Sequence, residues 1–249
     1  MITAAALPGI PEIAPGDDLA ALLLAAVGTT DPLCPGDVLV IAHKVLSKAE
    51  GRVVALADVR PGEHAVALAA EHGKDPRVIE VILGETTEIV RSRPGVLICR
   101  TRHGFVCANA GVDASNAAAG ELVLLPRDPD ASARALRARL RDVIGIAPAV
   151  VVTDSFGRAW RLGQCDVAIG AAGLAPVDDW RGRRDAGGRE LTATIVAVAD
   201  EAAAAADLAR SKDGAEPAVL VRGLARFVTD DDGPGAVALL RAREEDLFL

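Results

Sequence analysis

The sequence contains no tyrosine, and its other aromatic residues are scarce, with four phenylalanines and two tryptophans in 249 residues. Proteins that bind single-stranded nucleic acids stack the bases on aromatic side chains inside positively charged grooves. The net charge here is −8, and the one dense basic patch, at residues 181–184, is short. The composition therefore argues against a nucleic-acid partner. The hydrophobic content of 51% is sufficient for a core, which alanine, valine and leucine must mostly supply.

Several common motifs are also missing. There is no GxxxxGK[ST] loop and no GxGxxG after a strand, so a bound nucleotide would be held in neither the Walker nor the Rossmann manner. The four cysteines form no CxxC pair and no zinc-binding spacing. Cys34, Cys99 and Cys107 stand in apolar surroundings and are expected to be buried and unreactive. Nothing marks Cys165 as a nucleophile.

The sequence has neither a charged N-terminal leader followed by a long apolar region nor an apolar stretch of membrane-spanning length. We therefore expect a cytoplasmic protein without a membrane partner.

Strand-like and helix-like segments alternate irregularly and predict an α+β fold without internal repeats. The patterns predict helices at 17–27, 64–71, 131–144 and 192–208, and strands at 37–42, 96–100, 105–108, 150–153, 167–171 and 219–221. The stretch 78–83 is amphipathic or strand-like. The arginines of 131–144 are expected on a solvated face, and His64 and His72 at the surface. From Thr229 the chain is expected to form a mobile acidic loop before a short helix.

The stretch VVVTDSFGRAWRLGQCDVAIG (150–170) carries the strongest chemical signal. Its apolar run ends in Thr153, Asp154 and Ser155, followed by what reads as a Gly-Arg turn. Hard oxygen ligands suit a cation, and Arg158 and Arg161 suit a carboxylate or a transferred phosphoryl group. The alternative is an acid that caps a turn beside solvated arginines.

A second strand-to-loop junction, HGFVCANAGVDASN (103–116), delivers Asp113. The two acids are expected to converge on one metal and phosphate site. With LPGIPEI (7–13) and HKVLSKAEGR (43–52), these blocks resemble the F420-0:gamma-glutamyl ligase family, and the resemblance runs from about residue 7 to 223. The chain ends at Leu249, so the flavin-binding domain that follows in some actinobacterial relatives is not expected.

The resemblance implies a GTP-dependent ligase that joins L-glutamate to the lactate carboxylate of coenzyme F420-0 through an acyl phosphate, with further glutamates as an option. It also implies a family-specific fold of mixed sheets and flanking helices in an intertwined homodimer. Two divalent ions, Mg²⁺ or Mn²⁺, and in some members K⁺, are the implied cofactors.

The same resemblance assigns individual positions. The implied divalent-metal ligands are Asp113, Asp154 and Ser155. The implied GTP contacts are Leu7, Pro8, Gly9, Ile10, His43, Lys44, Lys48 and Asn116. The alternatives are that the lysines are merely exposed and that Pro8-Gly9 is only a turn. The sequence departs from the family pattern at Arg210-Ser211, where Met-Gly is usual, and at His43, where Gln or Ser is usual.

Two other function classes remain open. A metal-dependent phosphatase or nucleotidase would use the same acids without needing glutamate. A non-catalytic nucleotide-binding module would tolerate the loss of the acids.

Overall fold

The computed structural model describes residues 1–28 and 31–246. Within those ranges, no helix is both long and apolar enough to cross a membrane. The α-helices are α1 (Leu19–Val27), α2 (His43–Ala49), α3 (Glu63–His72), α4 (Pro76–Glu85), α5 (Pro129–Ile144) and α6 (Val198–Ala209). The strands are β1 (Thr3–Ala6), β2 (Val38–Ala42), β3 (Val53–Ala55), β4 (Thr86–Arg93), β5 (Val96–Thr101), β6 (Val106–Ala108), β7 (Glu121–Val123), β8 (Ala149–Arg158), β9 (Arg161–Ala172), β10 (Asp178–Asp179), β11 (Ile195–Val196) and β12 (Ala218–Arg222).

The main sheet has the strand order β1-β12-β2-β8-β9. Only the β2/β8 pair is parallel, and the other neighbours are antiparallel. Val38 and Val40 pack with α6 on one face, whereas Leu39 and Ile41 pack with residues of α1 and α5 on the other. Because both faces are covered, β2 is a continuous apolar run without a polar side. The predicted α+β class is confirmed.

A smaller layer packs beside this sheet. It consists of the antiparallel sheet β4-β5-β6 with α3 and α4, and Ile79, Ile82 and Leu97 lie in its core. The pairing predicted between 96–100 and 105–108 is present as β5/β6. Strand β3 precedes this layer in the sequence and β7 follows it, and the two strands pair with each other in an antiparallel ladder.

One open element is decided and another needs correction. Of the two alternatives for residues 78–83, the amphipathic one is confirmed: they belong to helix α4, because the Asp75 carboxylate caps the helix by accepting from the Arg77 amide and Pro76 occupies its first turn. The helix predicted at 192–208 begins only at Val198. The preceding β-branched pair Ile195-Val196 instead forms a strand against β10.

The surface placement of two polar residues is also wrong. His72 is buried at the end of α3, where its Nε2 and Ser92 Oγ are 2.9 Å apart, although His64 is exposed as expected. Arg137 is buried in α5 with a side-chain exposure of 3%. It lies on the same helical stripe as Ala133 and Leu140, four residues before and three residues after it.

The buried Arg137 holds the segment that was expected to be mobile. Its guanidinium donates to the carbonyl oxygens of Thr229 (2.8 Å) and Pro148 (3.3 Å) and to the Asp232 carboxylate (2.8 Å). Gly173, with φ +72°, passes so close to this guanidinium that a Cβ there would collide with it. The acidic stretch is therefore anchored to the sheet, and the short helix that follows is a 3₁₀ turn, Ala236–Leu239.

The thiols differ sharply in accessibility. Cys99 and Cys107 are buried as expected, and burial raises the pKa of Cys107 to about 12. Cys34 stands in a loop outside the core and is exposed, which contradicts the expectation.

In the native protein at about pH 8, a thiol reagent should modify Cys34 rapidly and leave Cys99 and Cys107 intact until urea is added. The fast phase should disappear in Cys34→Ser. Rapid modification of Cys99 or Cys107 in that variant, located by peptide mass, would contradict this burial pattern, whereas modification of the partly buried Cys165 would not.

Candidate active site

The parallel pairing of β2 with β8 stops where β2 ends, at Ala42, and β8 continues beyond that point with β9. Their register pairs Ala42 with Thr153, so the next residues, His43 and Asp154, are neighbours. His43 begins α2, and its Nε2 lies 3.5 Å from Asp154 Oδ1. Its Nδ1 shares a hydrogen bond of 3.1 Å with Ser47 Oγ one turn later. The carboxyl ends of parallel strands are a common place for a ligand site.

Asp154 and Ser155 lie inside β8 and not at its end. The residues expected to form a Gly-Arg turn, Gly157 and Arg158, continue the ladder with β9, and the turn is Ala159-Trp160. The ladder persists because β9 supplies hydrogen-bonding partners as far as Arg161. The hairpin therefore brings Ser155 directly opposite Asp166.

A strand directs successive side chains to opposite faces, and this divides the site into two sides. Asp154 faces α2 and His43. Thr153 and Ser155 face Asp166, to which their hydroxyls donate over 3.0 Å and 2.6 Å. A bulge in the β8/β9 ladder immediately precedes Thr153, at the place where the polar residues begin. Bulges next to active sites commonly re-aim side chains.

Asp113 reaches the same cleft from the loop after β6. Asn109, Ala110 and Gly111 all have positive φ, and this tight left-handed turn redirects the chain. The Asp113 backbone then forms an isolated bridge with Val123, which fixes its position. Its carboxylate accepts from the amide and the hydroxyl of Ser115, both at 2.7 Å.

Two lysines of α2 stand above these acids. Lys44 Nζ lies 2.7 Å from Asp113 Oδ2 and 2.6 Å from Ser115 Oγ. Lys48 pairs with Glu12 and donates to the Asn116 carbonyl oxygen over 2.6 Å. Because Lys44 and Lys48 are one helical turn apart, both ammonium groups lie on the same side of the cleft.

These side chains surround one cleft with a volume of about 610 Å³, within the size range of small-molecule sites. It brings together most of the residues that the sequence singled out. The predicted residues that line it are Ile10, His43, Lys44, Lys48, Asp113, Asn116, Asp154 and Ser155.

Five predicted residues lie elsewhere. Leu7 is buried in the core beside β12, and its amide donates to the Ala218 carbonyl, while Pro8 and Gly9 are exposed just outside the cleft. Arg158 and Arg161 lie at the hairpin tip, exposed, and Arg158 donates to the Leu162 carbonyl over 2.6 Å. Neither arginine lines the cleft of this chain. Their assigned roles stay predictions.

The cleft also contains charged residues to which the sequence assigned no role. They are Glu12, Asp166, Arg210, Lys212 and Glu216. Asp166 is 1% exposed and pairs with Arg210, one of the residues that departs from the family pattern. The sequence could have indicated Asp166 through its spacing from Ser155, because the two residues face each other across a hairpin, but that pairing can be assigned only when the position of the turn is known.

The environments of the two predicted metal acids shift their pKa values in opposite directions. Burial raises the pKa of Asp154, and His43 and the Ser155 amide only partly oppose it. Burial also acts to raise the pKa of Asp113, but hydrogen bonds from Lys44 and Ser115 hold it below its ordinary value. Burial lowers the pKa of His43, so its imidazole is neutral at pH 7.

The donor chemistry suits a hard divalent cation. In the described ranges no three His, Cys, Asp or Glu residues form a metal-binding group by themselves. Mg²⁺, however, is typically held by one or two carboxylates together with water and substrate phosphates. The direct side-chain contact of Asp154 among the described residues is with His43, whose Nε2 lies 3.5 Å away, and the Lys44 ammonium acts on it only from a greater distance. Asp154 is thus a largely buried carboxylate that faces the cleft without a direct lysine or arginine partner in the described ranges, an environment that suits a metal ligand.

Comparison with known proteins decides the family. The model of the family described as "F420-0:Gamma-glutamyl ligase" matches residues 9–223, which include every cleft residue from Ile10 to Pro217. The chain belongs to the F420-0:gamma-glutamyl ligase family. A member of this family from Methanopyrus kandleri, named coenzyme F420:L-glutamate ligase, is 48% identical over 95% of this chain and 93% of its own length. Relatives with the same name from Methanothermobacter thermautotrophicus and Haloarcula marismortui are 45% and 42% identical, over 96% and 97% of this chain and 96% and 93% of their own lengths.

Proposed function

We propose that this protein is a GTP- and divalent-metal-dependent ligase that joins L-glutamate to the terminal lactate carboxylate of coenzyme F420-0. One observation of the site carries the proposal: Asp113 and Asp154, from two separate strand-to-loop regions, line one cleft together with Lys44 and Lys48. Membership of the ligase family and the shared name of three relatives supply the substrate class.

Mg²⁺ or Mn²⁺ would be held by Asp113 and Asp154, with Ser155 as a further oxygen donor, and would neutralise charge on phosphate oxygens. Lys44 now binds Asp113 and would have to turn towards the nucleotide to free that carboxylate. Its side chain is only 20% exposed, so the ammonium stays within the cleft in either position. Ile10, Lys48 and Asn116 are the proposed nucleotide contacts that line the cleft.

The proposed reaction has two steps. A carboxylate oxygen of F420-0 attacks the γ-phosphorus of GTP, the bond to the β-phosphate oxygen breaks, and GDP leaves. The α-amino nitrogen of glutamate then attacks the acyl carbon, inorganic phosphate leaves, and the nitrogen loses a proton. Such chemistry depends mostly on positioning and on charge neutralisation, which the lysines and acids of the cleft are placed to provide.

The test is to incubate the purified protein with F420-0, L-glutamate, Mg²⁺ or Mn²⁺, and either GTP or ATP, and to determine product masses and free phosphate. We expect one or more added glutamates with GTP, and phosphate release only when both acceptors are present. Release without either acceptor would instead favour a phosphatase or nucleotidase. Efficient product formation with ATP would overturn the nucleotide assignment. Homodimerisation, K⁺ binding and further glutamate additions stay predictions.

Lys48→Ala should raise the KM for GTP more than the KM for glutamate. A charged hydrogen bond to phosphate contributes about 1.5–3 kcal/mol, so the expected rise in KM is roughly 10- to 150-fold. Glu12, the present partner of Lys48, has a side chain that is 81% exposed and can turn aside when phosphate arrives. Steady-state kinetics with each substrate varied in turn measures the split, and Arg141→Ala, at an exposed position outside the cleft, is the control. A rise confined to glutamate would move Lys48 to the acceptor side.

A further inference from the structure

The Ser155 side of the cleft is neutralised by the protein's own side chains. The buried Asp166 carboxylate accepts from Thr153 and Ser155 and pairs with Arg210. Asp207, on α6, pairs with Lys212 over 2.7 Å. The two carboxylates that contact Ser155 or Lys212 therefore each already have a cationic partner.

The Lys212 ammonium occupies the position next to Ser155 where a second metal ion would bind. Its Nζ lies 3.1 Å from Ser155 Oγ and 3.7 Å from Asp166 Oδ1, in addition to its contact with Asp207. The Ser155 hydroxyl already donates its proton to Asp166 and accepts from Lys212. A hydroxyl has one proton and two lone pairs, so a single lone pair remains. A divalent ion placed on it would lie against a positive charge.

The Asp113 side is arranged differently. Asp113 is paired with Lys44, whereas Asp154 faces the cleft with no lysine or arginine among its direct contacts in the described residues. A divalent cation is attracted to these two acids, whereas the carboxylates next to Ser155 and Lys212 are already paired with Arg210 and Lys212.

We propose that the Lys212 ammonium takes the place of a second divalent ion, so that each chain binds one divalent ion, at Asp113 and Asp154. This inference rests on the proposed function, from which the expectation of two ions comes, and it removes Ser155 from the metal ligands named there, because its hydroxyl accepts from Lys212 instead. Lys212 would then supply to the phosphate oxygens the positive charge that the second ion would otherwise bring. Arg210 supports it by keeping Asp166 neutralised, which leaves Ser155 oriented towards Lys212.

The test counts Mn²⁺ ions bound to the metal-free full chain, with Mn²⁺ alone as the probe. Electron paramagnetic resonance measures both the free ion and the magnetic coupling of two bound ions. We expect one Mn²⁺ per chain and no coupling in the wild type. Lys212→Gln keeps the side-chain length but removes the charge. In this variant we expect a second Mn²⁺ to bind at least about tenfold more tightly than in the wild type and to couple with the first.

Two control variants separate the outcomes. Arg141→Gln, at an exposed position of α5 outside the cleft, should still bind one ion, and Asp154→Asn should lose the first ion. Two coupled ions in the wild type would overturn the inference and leave the metal dependence of the proposed function intact. One ion in both the wild type and Lys212→Gln would also overturn it, because Lys212 would not be the excluding group. No bound ion in any variant would overturn this inference, because the site at Asp113 and Asp154 would then not hold an ion by itself, while the ligation assay with and without Mg²⁺ would still decide the metal dependence of the proposed function.

Discussion

Asp154→Asn should abolish glutamate ligation while leaving the fold intact. The substitution removes a charged ligand without changing side-chain volume, and the loss of several kcal/mol of charge stabilisation corresponds to about 10³-fold or more in rate. Because burial raises the pKa of Asp154, its ionised form costs folded stability at neutral pH. The neutral amide should therefore leave the melting temperature unchanged or higher. Product formation at saturating Mg²⁺ and thermal unfolding together measure the two effects.

Asp113→Asn should have the same effect on the rate, and the double variant should be barely slower than either single one. Residues that act as one unit are strongly non-additive. The matched control is Asp142→Asn, an exposed acid of α5 outside the cleft. Wild-type turnover in either active-site variant would remove the metal-ligand assignment. A multiplicative loss in the double variant would separate the two acids into independent roles.

Arg137→Ala should lower the free energy of unfolding more than the replacement of any other arginine of 131–144, although the sequence pattern places all of them on a solvated face. The truncation leaves a cavity and removes the donor from the buried Pro148 carbonyl oxygen, from the Thr229 carbonyl oxygen and from the half-exposed Asp232 carboxylate. The lost packing and the unmade hydrogen bonds should together cost about 3 kcal/mol. Urea unfolding followed by circular dichroism measures the free energy of unfolding.

Arg141→Ala is the matched control, since Arg141 is an exposed arginine one turn later on the same helix. Its replacement should change the free energy of unfolding by no more than about 0.5 kcal/mol. Limited proteolysis should cleave Arg137→Ala near Asp232 sooner than the wild type, because the acidic segment loses its anchor. A cost below about 1 kcal/mol in Arg137→Ala would mean that the guanidinium contributes little to the attachment of that segment.

The sequence predicted well wherever local pattern and secondary structure agree. The apolar run of β2, the helix of α5 and the pairing of β5 with β6 all appear as expected. The convergence of residues around Asp113 and Asp154 on one cleft also agrees with the expectation from their positions after apolar strands. For these three elements the deciding information is local, whereas the convergence of the two acids was inferred from the place of each one after an apolar run.

The failures concern contacts between distant parts of the chain. Arg137 stands on the apolar stripe of α5. One carbonyl group that accepts from it belongs to Pro148, in the loop after α5, and the others belong to Thr229 and Asp230, more than ninety residues away in the sequence. The position of the β8/β9 turn was misread because Ala159-Trp160 lacks the glycine or asparagine typical of two-residue hairpins, whereas Gly157 imitates a turn. Trp160 adopts a φ of 58° that few bulky residues accept. Consequently Asp166 was not placed opposite Ser155.

In the β8/β9 hairpin, the number of residues between Ser155 and the turn determines which face of the sheet each side chain occupies. Three ladder pairs separate the Ser155/Asp166 pair from the turn. Residues added beyond Arg158 and before Arg161 lengthen the tip and leave the ladder below it unchanged. A single residue added or deleted between Ser155 and Gly157, by contrast, would invert the faces of the strand segment beyond it or require a compensating bulge. The tip can therefore change in length and composition, whereas insertions in the stem must add residues in pairs or be absorbed by a bulge.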